Sequence, residues 1–385
     1  MRKAHPMTLA ELLDLYAELL HLPDPTPILG ALATVAANRL PTGDPLWTLL
    51  VGPPSSGKSE IIDSLRQLPE TASLSTLTKA SLLSGHASSG GGLLQTTLRE
   101  GGLLLIKDFT SILSEAPATR NELLAILREL FDGHVERAVG TRRTPLAWAG
   151  RLGLLSGVTE EIEQHRQTIA VMGDRFVYLP MTSTEYDRGE IARRAMNNGG
   201  LQQELRRRIA NGVAQFFAEL ATPGQSPTMS QNEQDWICAA ADFGSRARSP
   251  VIRDNRTRDI ALVPEAELPA RLVGEFSQMW RGLHLIGADP SMARAVIRAA
   301  VIAGIPKLRR NSLLALLAAD GWSRTVQVCT RTRTPRATTN YVLEDLAALS
   351  LVDSDAGDGP AWAAQAWTPT DWTRARWKEL DDGRP

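Results

Sequence analysis

Leu46-Trp-Thr-Leu-Leu-Val-Gly-Pro-Pro-Ser-Ser-Gly-Lys-Ser59 is the stretch whose reading decides the fold. Residues 46–51 form an apolar run that reads as a buried strand. The G-x-x-x-x-G-K-[ST] spacing follows at once, with Gly52, Gly57, Lys58 and Ser59 in the required places and Pro53, Pro54, Ser55 and Ser56 between them. The glycines let the backbone curl so that successive N–H groups point inward at a phosphate. In such a loop Lys58 meets the β- and γ-phosphates of a nucleotide and Ser59 holds magnesium. Glu60-Ile-Ile-Asp-Ser-Leu65 continues with helical spacing, so the loop opens onto a helix N-terminus, where the dipole also favours an anion. The bland alternative is a Gly/Ser-rich turn without chemistry. Strand, loop and helix in this order favour the nucleotide site, with ATP and Mg2+ as its cofactors.

The 385 residues suffice for two or three domains. No apolar stretch approaches the ~20 residues needed to cross a bilayer. Thr8 to Leu22 is amphipathic and acidic, unlike a signal peptide, so the expected location is cytoplasmic and no membrane partner is expected. Cys238 and Cys329 stand far apart inside helical apolar patterns, offer neither a disulfide framework nor a metal site, and read as small core residues. The formal net charge of −1 excludes a uniformly basic surface, so any nucleic-acid contact must come from local clusters.

Leu9, Leu12, Leu13, Tyr16, Leu19 and Leu20 recur at helical spacing, and that helix should stop before Pro23-Asp-Pro-Thr-Pro27. A second helix, Ile28 to Arg39, leads to the first strand. Up to about Pro180, strand-like runs at 47–51, 103–106, 152–155 and 176–179 alternate with helices, the α/β signature of a parallel sheet. Beyond Pro180 the pattern is almost wholly helical, with a linker at Thr222 to Ser226 and no internal repeat. Within this frame, Gly101-Gly-Leu-Leu-Leu-Ile-Lys-Asp-Phe-Thr110 reads as a buried strand that delivers a carboxylate, Asp108, to the edge of a phosphate site, where it can bind magnesium or polarise water.

The order of motifs resembles the minichromosome-maintenance (MCM) helicases. Residues 91–109 are similar to the stretch ending in that family's second nucleotide motif, and Leu127 to Gly140 to its helix and pre-sensor hairpin. Leu152-Gly-Leu-Leu-Ser-Gly-Val-Thr159 resembles the sensor-1 strand, Gly173-Asp-Arg-Phe176 the arginine-finger motif, and Leu268-Pro-Ala-Arg-Leu272 the start of the sensor-2 helix. The resemblance spans roughly residues 46 to 290 and extends to shorter phage and plasmid ATPases of the same AAA+ plan. It implies an α/β fold: an AAA+ P-loop ATPase core at 46–182 after an N-terminal helical segment at 1–45, and a helical lid at 183–290. It also implies catalytic roles beside Lys58 and Asp108. Thr159 would orient the attacking water, Arg175 would be inserted into a neighbouring subunit's site, and Arg271 would act from the lid. An Arg175 acting in trans requires a ring or at least a dimer, and a homo-hexamer is expected. Each role has a plainer alternative: Thr159 caps the helix that begins at Glu160, and surface arginines are mostly solvated. One departure stands out. Lys107-Asp-Phe109 aligns with the family's Asp-Glu-Phe, so Lys107 occupies the place of the magnesium-holding acid. Either Asp108 serves both roles or the register shifts by one, and slow hydrolysis used as a switch becomes an alternative.

Three segments are candidates for DNA. Residues 80–92 are glycine-rich and sit where the family inserts a loop towards the ring pore, or are a flexible linker. Residues 135–148 read as a β-hairpin with Arg142 and Arg143 at its tip, suited to phosphate contacts or simply solvated. In residues 291–385, three helices followed by a hairpin follow the winged-helix order. Arg331, Arg333, Arg336, Thr338, Thr339 and Asn340 cluster at the start of its third helix. The adjacent wing is acidic at Asp353, Asp355 and Asp358, and such domains also dock proteins. The sequence therefore points to a ring-forming, ATP-dependent DNA helicase or translocase for replication of a phage, plasmid or mobile element, with a possible replication partner protein. The alternatives are an ATP-switched helicase loader or initiator, and a DNA-binding regulator with weak ATPase.

Overall fold

A computed structural model describes residues 6–84, 91–138, 145–171, 173–181, 188–220, 226–355 and 365–381. The chain divides into two compact units. The first takes Met1–His165, Met172–Thr228 and Gly274–Ile297; the second takes Arg166–Val171, Met229–Val273 and Arg298–Pro385.

In the first unit, α1 (Leu9–Leu19) and α2 (Thr26–Asn38) precede β1 (Trp47–Val51) and α3 (Lys58–Ser64). Next come β2 (Thr71–Leu74), α4 (Lys79–Leu82), α5 (Leu93–Thr96), β3 (Gly101–Ile106), α6 (Thr110–Leu113) and α7 (Pro117–Phe131). The hairpin β4 (His134–Arg137) and β5 (Leu146–Ala149) leads to β6 (Arg151–Val158), α8 (Ile162–Val171), β7 (Val177–Pro180), α9 (Arg188–Asn197) and α10 (Gln202–Glu219). Five strands form one parallel sheet in the order β2-β3-β6-β1-β7. The four expected strands are all present. The fifth, Thr71-Ala-Ser-Leu74, was not foreseen because only Ala72 in it is buried and no apolar run announces it. Pairing of Val51 with Val158 and of Ile106 with Ser156 lines up the carboxyl ends of β1, β6 and β3. Ligands of open parallel sheets bind beyond such ends.

The two N-terminal helices fall within this unit. Thr8 and Glu11 close a capping box at the start of α1, and Leu12 and Tyr16 on its inner face are fully buried. The Tyr16 hydroxyl meets Ser64 Oγ at 2.5 Å, tying α1 to the end of α3. Helix α2 is buried almost all round, and its small residues allow close approach: a side-chain carbon added at Gly30 would collide with Leu179 of β7. The stretch expected as a lid, 183–290, is divided between the units. Helix α10 packs against α1 through an apolar face that includes Leu205, Ile209 and Val213, whereas residues 229–273 belong to the second unit.

The second unit holds α11 (Gln231–Arg248) and the ribbon β8 (Ile252–Arg253) with β9 (Ile260–Leu262). Helices α12 (Ala270–Leu285) and α13 (Pro290–Gly304) run through both units. Then follow α14 (Lys307–Leu317), β10 (Ser323–Arg324), α15 (Thr325–Thr332), α16 (Arg336–Ala348), β11 (Val352–Asp355), β12 (Ala366–Pro369) and α17 (Asp371–Asp381). Three helices and a hairpin thus occur in the expected order, and the short β10 adds a third antiparallel strand in the order β10-β12-β11. Helix α17 packs on α11, with the Trp236 indole N–H donating to Glu379 O at 3.1 Å. The cysteines depart from expectation: Cys238 is exposed and Cys329 half-buried, because each lies off its helix's apolar stripe. Among the described residues no helix is long and apolar enough to cross a membrane.

Candidate functional site

The loop between β1 and α3 is built for close approach. Ser55 and Gly57 both adopt positive φ, +64° and +92°. Glycine tolerates that region at Gly57; for Ser55 it stores strain of a kind that gathers at ligand-holding turns. Among the described residues, no protein acceptor takes the backbone N–H groups of Ser55, Ser56, Gly57, Lys58 or Ser59. Five successive unsatisfied donors at a helix start are what an anion needs. The Lys58 ammonium folds back over them, donating to Gly52 O and Pro53 O at 2.7 Å each and to Ser56 Oγ at 3.3 Å. Burial lowers its pKa from the ordinary lysine value, and the Asp108 charge opposes that shift. Phosphate oxygens arriving in the loop would replace these weak acceptors with full charges and favour the ammonium further.

A cavity of about 750 Å³ opens over the loop, a size suited to a nucleotide. Its floor is Pro53 to Glu60, and its walls are the chain end of α1, Leu19 to Leu22, and α9 with Arg188, Ile191 and Ala195. Leu20 lies against the loop itself: a side-chain carbon added at Gly57 would sit 3.1 Å from it. Helix α9 holds this wall in place. Arg194 donates to Leu20 O at 3.0 Å and also to Ala17 O, and Asn198, just past α9, donates to Glu18 O at 3.0 Å, so side chains on and directly after α9 take carbonyls that end α1 without helical partners.

At the end of β3, Lys107 and Asp108 part company. Lys107 turns to α3 and pairs with Asp63 at 3.3 Å, half exposed. Asp108 is the carboxylate whose charge acts on Lys58, and its Oδ1 accepts the Thr110 N–H at 2.9 Å. Thr159, just past β6, donates its backbone N–H to Thr110 Oγ1 at 3.2 Å, and the two hydroxyls meet at 3.3 Å. The Thr159 hydroxyl also accepts from Glu161 N at 3.4 Å, so the helix-capping alternative is compatible with its place beside the second motif. Gly157 makes this junction compact, because an added carbon would stand 3.3 Å from Lys58 Cβ and 3.1 Å from Lys107 O. Thr110 was not singled out in the sequence, although it follows the motif directly and joins Asp108 to Thr159. Since the Lys107–Asp63 pair is exposed and worth under about 1 kcal/mol, Lys107→Ala should change any ATP turnover less than about fivefold. A fall beyond tenfold in steady-state assays would place Lys107 in the site itself.

No protein-family model matches the chain, and neither does any curated protein. What the residues do must therefore be judged from their geometry. Arg175 is held within its own chain: its guanidinium grips Asp132 at 3.0 and 3.2 Å, donates to Gly173 O and lies 5.2 Å from the centre of the Phe131 ring. Arg271 belongs to the second unit, where it pairs with Glu267 at 3.4 Å.

Of the DNA candidates, Arg142 and Arg143 lie outside the described residues, as do residues 85–90 of the glycine-rich segment. Their bases come together: Arg137 of β4 donates to Leu83 O at 2.8 Å, and Trp148 of β5 anchors the hairpin through Leu98 O at 2.8 Å. In the second unit Arg333 and Arg336 are exposed. Arg331, also exposed, donates to Ala315 O at 3.1 Å and Ser323 Oγ at 3.3 Å, so it braces α15 against its neighbours. Thr339, placed with them in the sequence reading, is buried and bonds back to Pro335 O at 3.1 Å. The described residues hold no group of three or more His, Cys, Asp or Glu side chains placed to hold a metal ion. A divalent cation at the loop would depend on Ser59, Asp108, phosphate oxygens and water, which suits magnesium.

Proposed function

We propose that this protein is an ATPase of the AAA+ plan, resembling the MCM helicases, that assembles as a ring and uses ATP turnover to move on DNA. The observation that carries the reading is the loop of residues 55–59. Its five backbone donors have no protein acceptor, Lys58 lies over them, and adjacent parallel strands bring Asp108 and Thr159 to the same sheet edge. In this reading Lys58 and the loop N–H groups bind and orient the β- and γ-phosphates. Ser59 and Asp108 would hold magnesium, which supplies charge neutralisation when bound. Thr159, steadied by Thr110, positions the attacking water. Arg175 completes the site of the next subunit. Within the second unit, α14, α15 and α16 with the three-stranded sheet serve as a winged-helix domain for DNA.

A second reading is favoured by one observation, the cation at the place of the family's magnesium-holding acid. With Lys107 committed to Asp63, a single carboxylate faces the phosphates, which suits slow hydrolysis and an ATP-switched loader or initiator. Strand displacement separates the two. On a forked duplex with ATP, the motor displaces the labelled strand and Lys58→Ala does not. DNA-stimulated hydrolysis without displacement would turn the assignment to the loader.

A further inference from the structure

The outward face of α16, the one a winged helix presents to the major groove, is already occupied within this chain. Helical periodicity puts Thr339, Val342, Leu343 and Leu346 on the buried face and Tyr341, Glu344 and Asp345 on the opposite one. The β8–β9 ribbon lies along that opposite face. Arg253 of β8, with its side chain 9 % exposed, donates to Tyr341 O at 2.7 Å, Glu344 Oε2 at 3.0 Å and Asp345 Oδ1 at 2.9 Å. Its guanidinium stands 4.9 Å from the centre of the Tyr341 ring, and that of Arg258 stands 5.8 Å from it. Arg309, buried, takes the other Asp345 oxygen at 3.7 Å and donates to Ala247 O and Ser249 O. A buried arginine pair sharing one carboxylate, with backbone carbonyls as further acceptors, is a fixed joint and not a latch.

The joint has two consequences. It closes the centre of α16 to base edges, and it fixes the ribbon's turn beside Tyr341 of the same helix. That turn is rigid: Asp254 accepts the N–H groups of Arg256 and Thr257 at 2.7 and 2.8 Å, Arg258 N donates to Asp254 O at 3.0 Å, and Arg258 adopts φ +68°. Arg256 and Arg258 are exposed at the tip, as are Arg333 and Arg336 at the start of α16. Among the described residues none of these four has an ion-pair partner. The acids of the outward face, Glu344 and Asp345, are engaged by Arg253 and Arg309, which leaves Asp259 and the turn's own Asp254 against four cations. The wing strand β11, with Asp353 and Asp355 exposed, offers phosphates nothing.

We propose that the second unit grips the sugar-phosphate backbone of duplex DNA with Arg256 and Arg258 of the ribbon together with Arg333 and Arg336, and does not read bases with α16. This rests on the DNA reading above and changes its terms, from sequence recognition to a salt-sensitive clamp. The test is fluorescence anisotropy of the full chain, without nucleotide, on two 30-base-pair duplexes of unrelated sequence between 50 and 200 mM salt. Wild type should bind both alike. Arg256→Ala/Arg258→Ala should bind about tenfold more weakly at the low-salt end and flatten the plot of log affinity against log salt by about two. Arg256→Lys/Arg258→Lys should retain most of the binding, because phosphate contacts need the charge more than the fork. Unchanged affinity and slope in the alanine variant, while wild type binds, would overturn the proposal and leave the DNA reading intact. A sequence preference above tenfold that is lost in Asn340→Ala would also overturn it, by showing that α16 reads bases. If wild type bound neither duplex at 50 mM salt, the DNA reading itself would fall.

Discussion

Lys58→Ala is expected to cut ATP turnover by at least about a hundredfold, the scale on which a single preorganised donor to a charged transition state is felt. Lys58 is the only cation among the loop residues 52–59, and its ammonium already lies over the loop, 2.7 Å from Gly52 O and Pro53 O. Removing it leaves the five backbone donors but no positive charge at the β- and γ-phosphates. Nucleotide affinity should fall as well, by about tenfold or more, because binding and transition-state stabilisation draw on the same charge. The fold should not suffer: the side chain is half-buried and bonded only to its own loop, so the melting temperature is expected to stay within a few degrees. Isothermal titration with ATP, next to steady-state hydrolysis and a thermal melt, checks all three. Full hydrolysis in the variant would remove the loop from the chemistry.

Arg175→Ala should be equally damaging to turnover, about a thousandfold, while leaving ATP affinity within a fewfold, because a finger supplied by a neighbour acts on the transition state. The structure gives this residue a clear intramolecular role that competes with that reading. Both oxygens of Asp132, at the end of α7, accept from Arg175 Nη2 while Nη1 donates to Gly173 O, and only 14 % of the Arg175 side chain is exposed, although Asp132 itself is 56 % exposed. A pair so placed can present the guanidinium at the surface in a fixed orientation, which lowers the entropy cost of insertion into a partner. It can equally be a tether between α7 and the start of β7. Mixing separates the roles. Lys58→Ala and Arg175→Ala subunits, each inactive alone, should recover part of the wild-type rate when co-assembled, since some interfaces then unite an intact Lys58 with an intact Arg175. No recovery despite demonstrated co-assembly would assign Arg175 to the tether.

The parts of this site that were legible in the sequence share one property: they are local. The loop, the strand before it and the helix after it are consecutive, so spacing and apolar runs were enough to place Gly52 to Ser59 between β1 and α3. The same holds for β3, whose unbroken apolar run ends at the second motif, and for β6, whose run, interrupted by Ser156, ends at Thr159. The unread parts are those that long-range packing decides. Nothing in Leu19-Leu-His-Leu22 marks it as a cavity wall, because that role comes from Arg194 and Asn198, more than 170 residues away, taking the carbonyls at the end of α1. β2 was invisible because it lies at the sheet edge with one buried side chain, and β10 because two residues carry no pattern. Arg331 and Arg333 look alike in sequence. Both are exposed, and only the fold lays Arg331 on Ala315 O. The direction of Lys107 was likewise open until Asp63 on α3 supplied its partner.

The buried joint around Asp345 also reweights the winged-helix reading. The arginines at the start of α16 first suggested base contacts from a recognition helix. With Arg253 across its outward face, that helix retains only its N-terminal end for a ligand, and phosphate is what exposed arginines at such an end bind best. A motor or loader acting on many sequences needs no more than this.

The measurement that bears most directly on the proposed nucleotide site is the steady-state ATPase rate of the purified protein, with and without single-stranded DNA, beside Lys58→Ala as blank. The expected result is hydrolysis well above the blank that rises severalfold when DNA is added, which would couple the loop at residues 52–59 to a DNA-contacting surface. A wild-type rate no higher than that of Lys58→Ala, with and without DNA, would contradict an ATPase built on this loop.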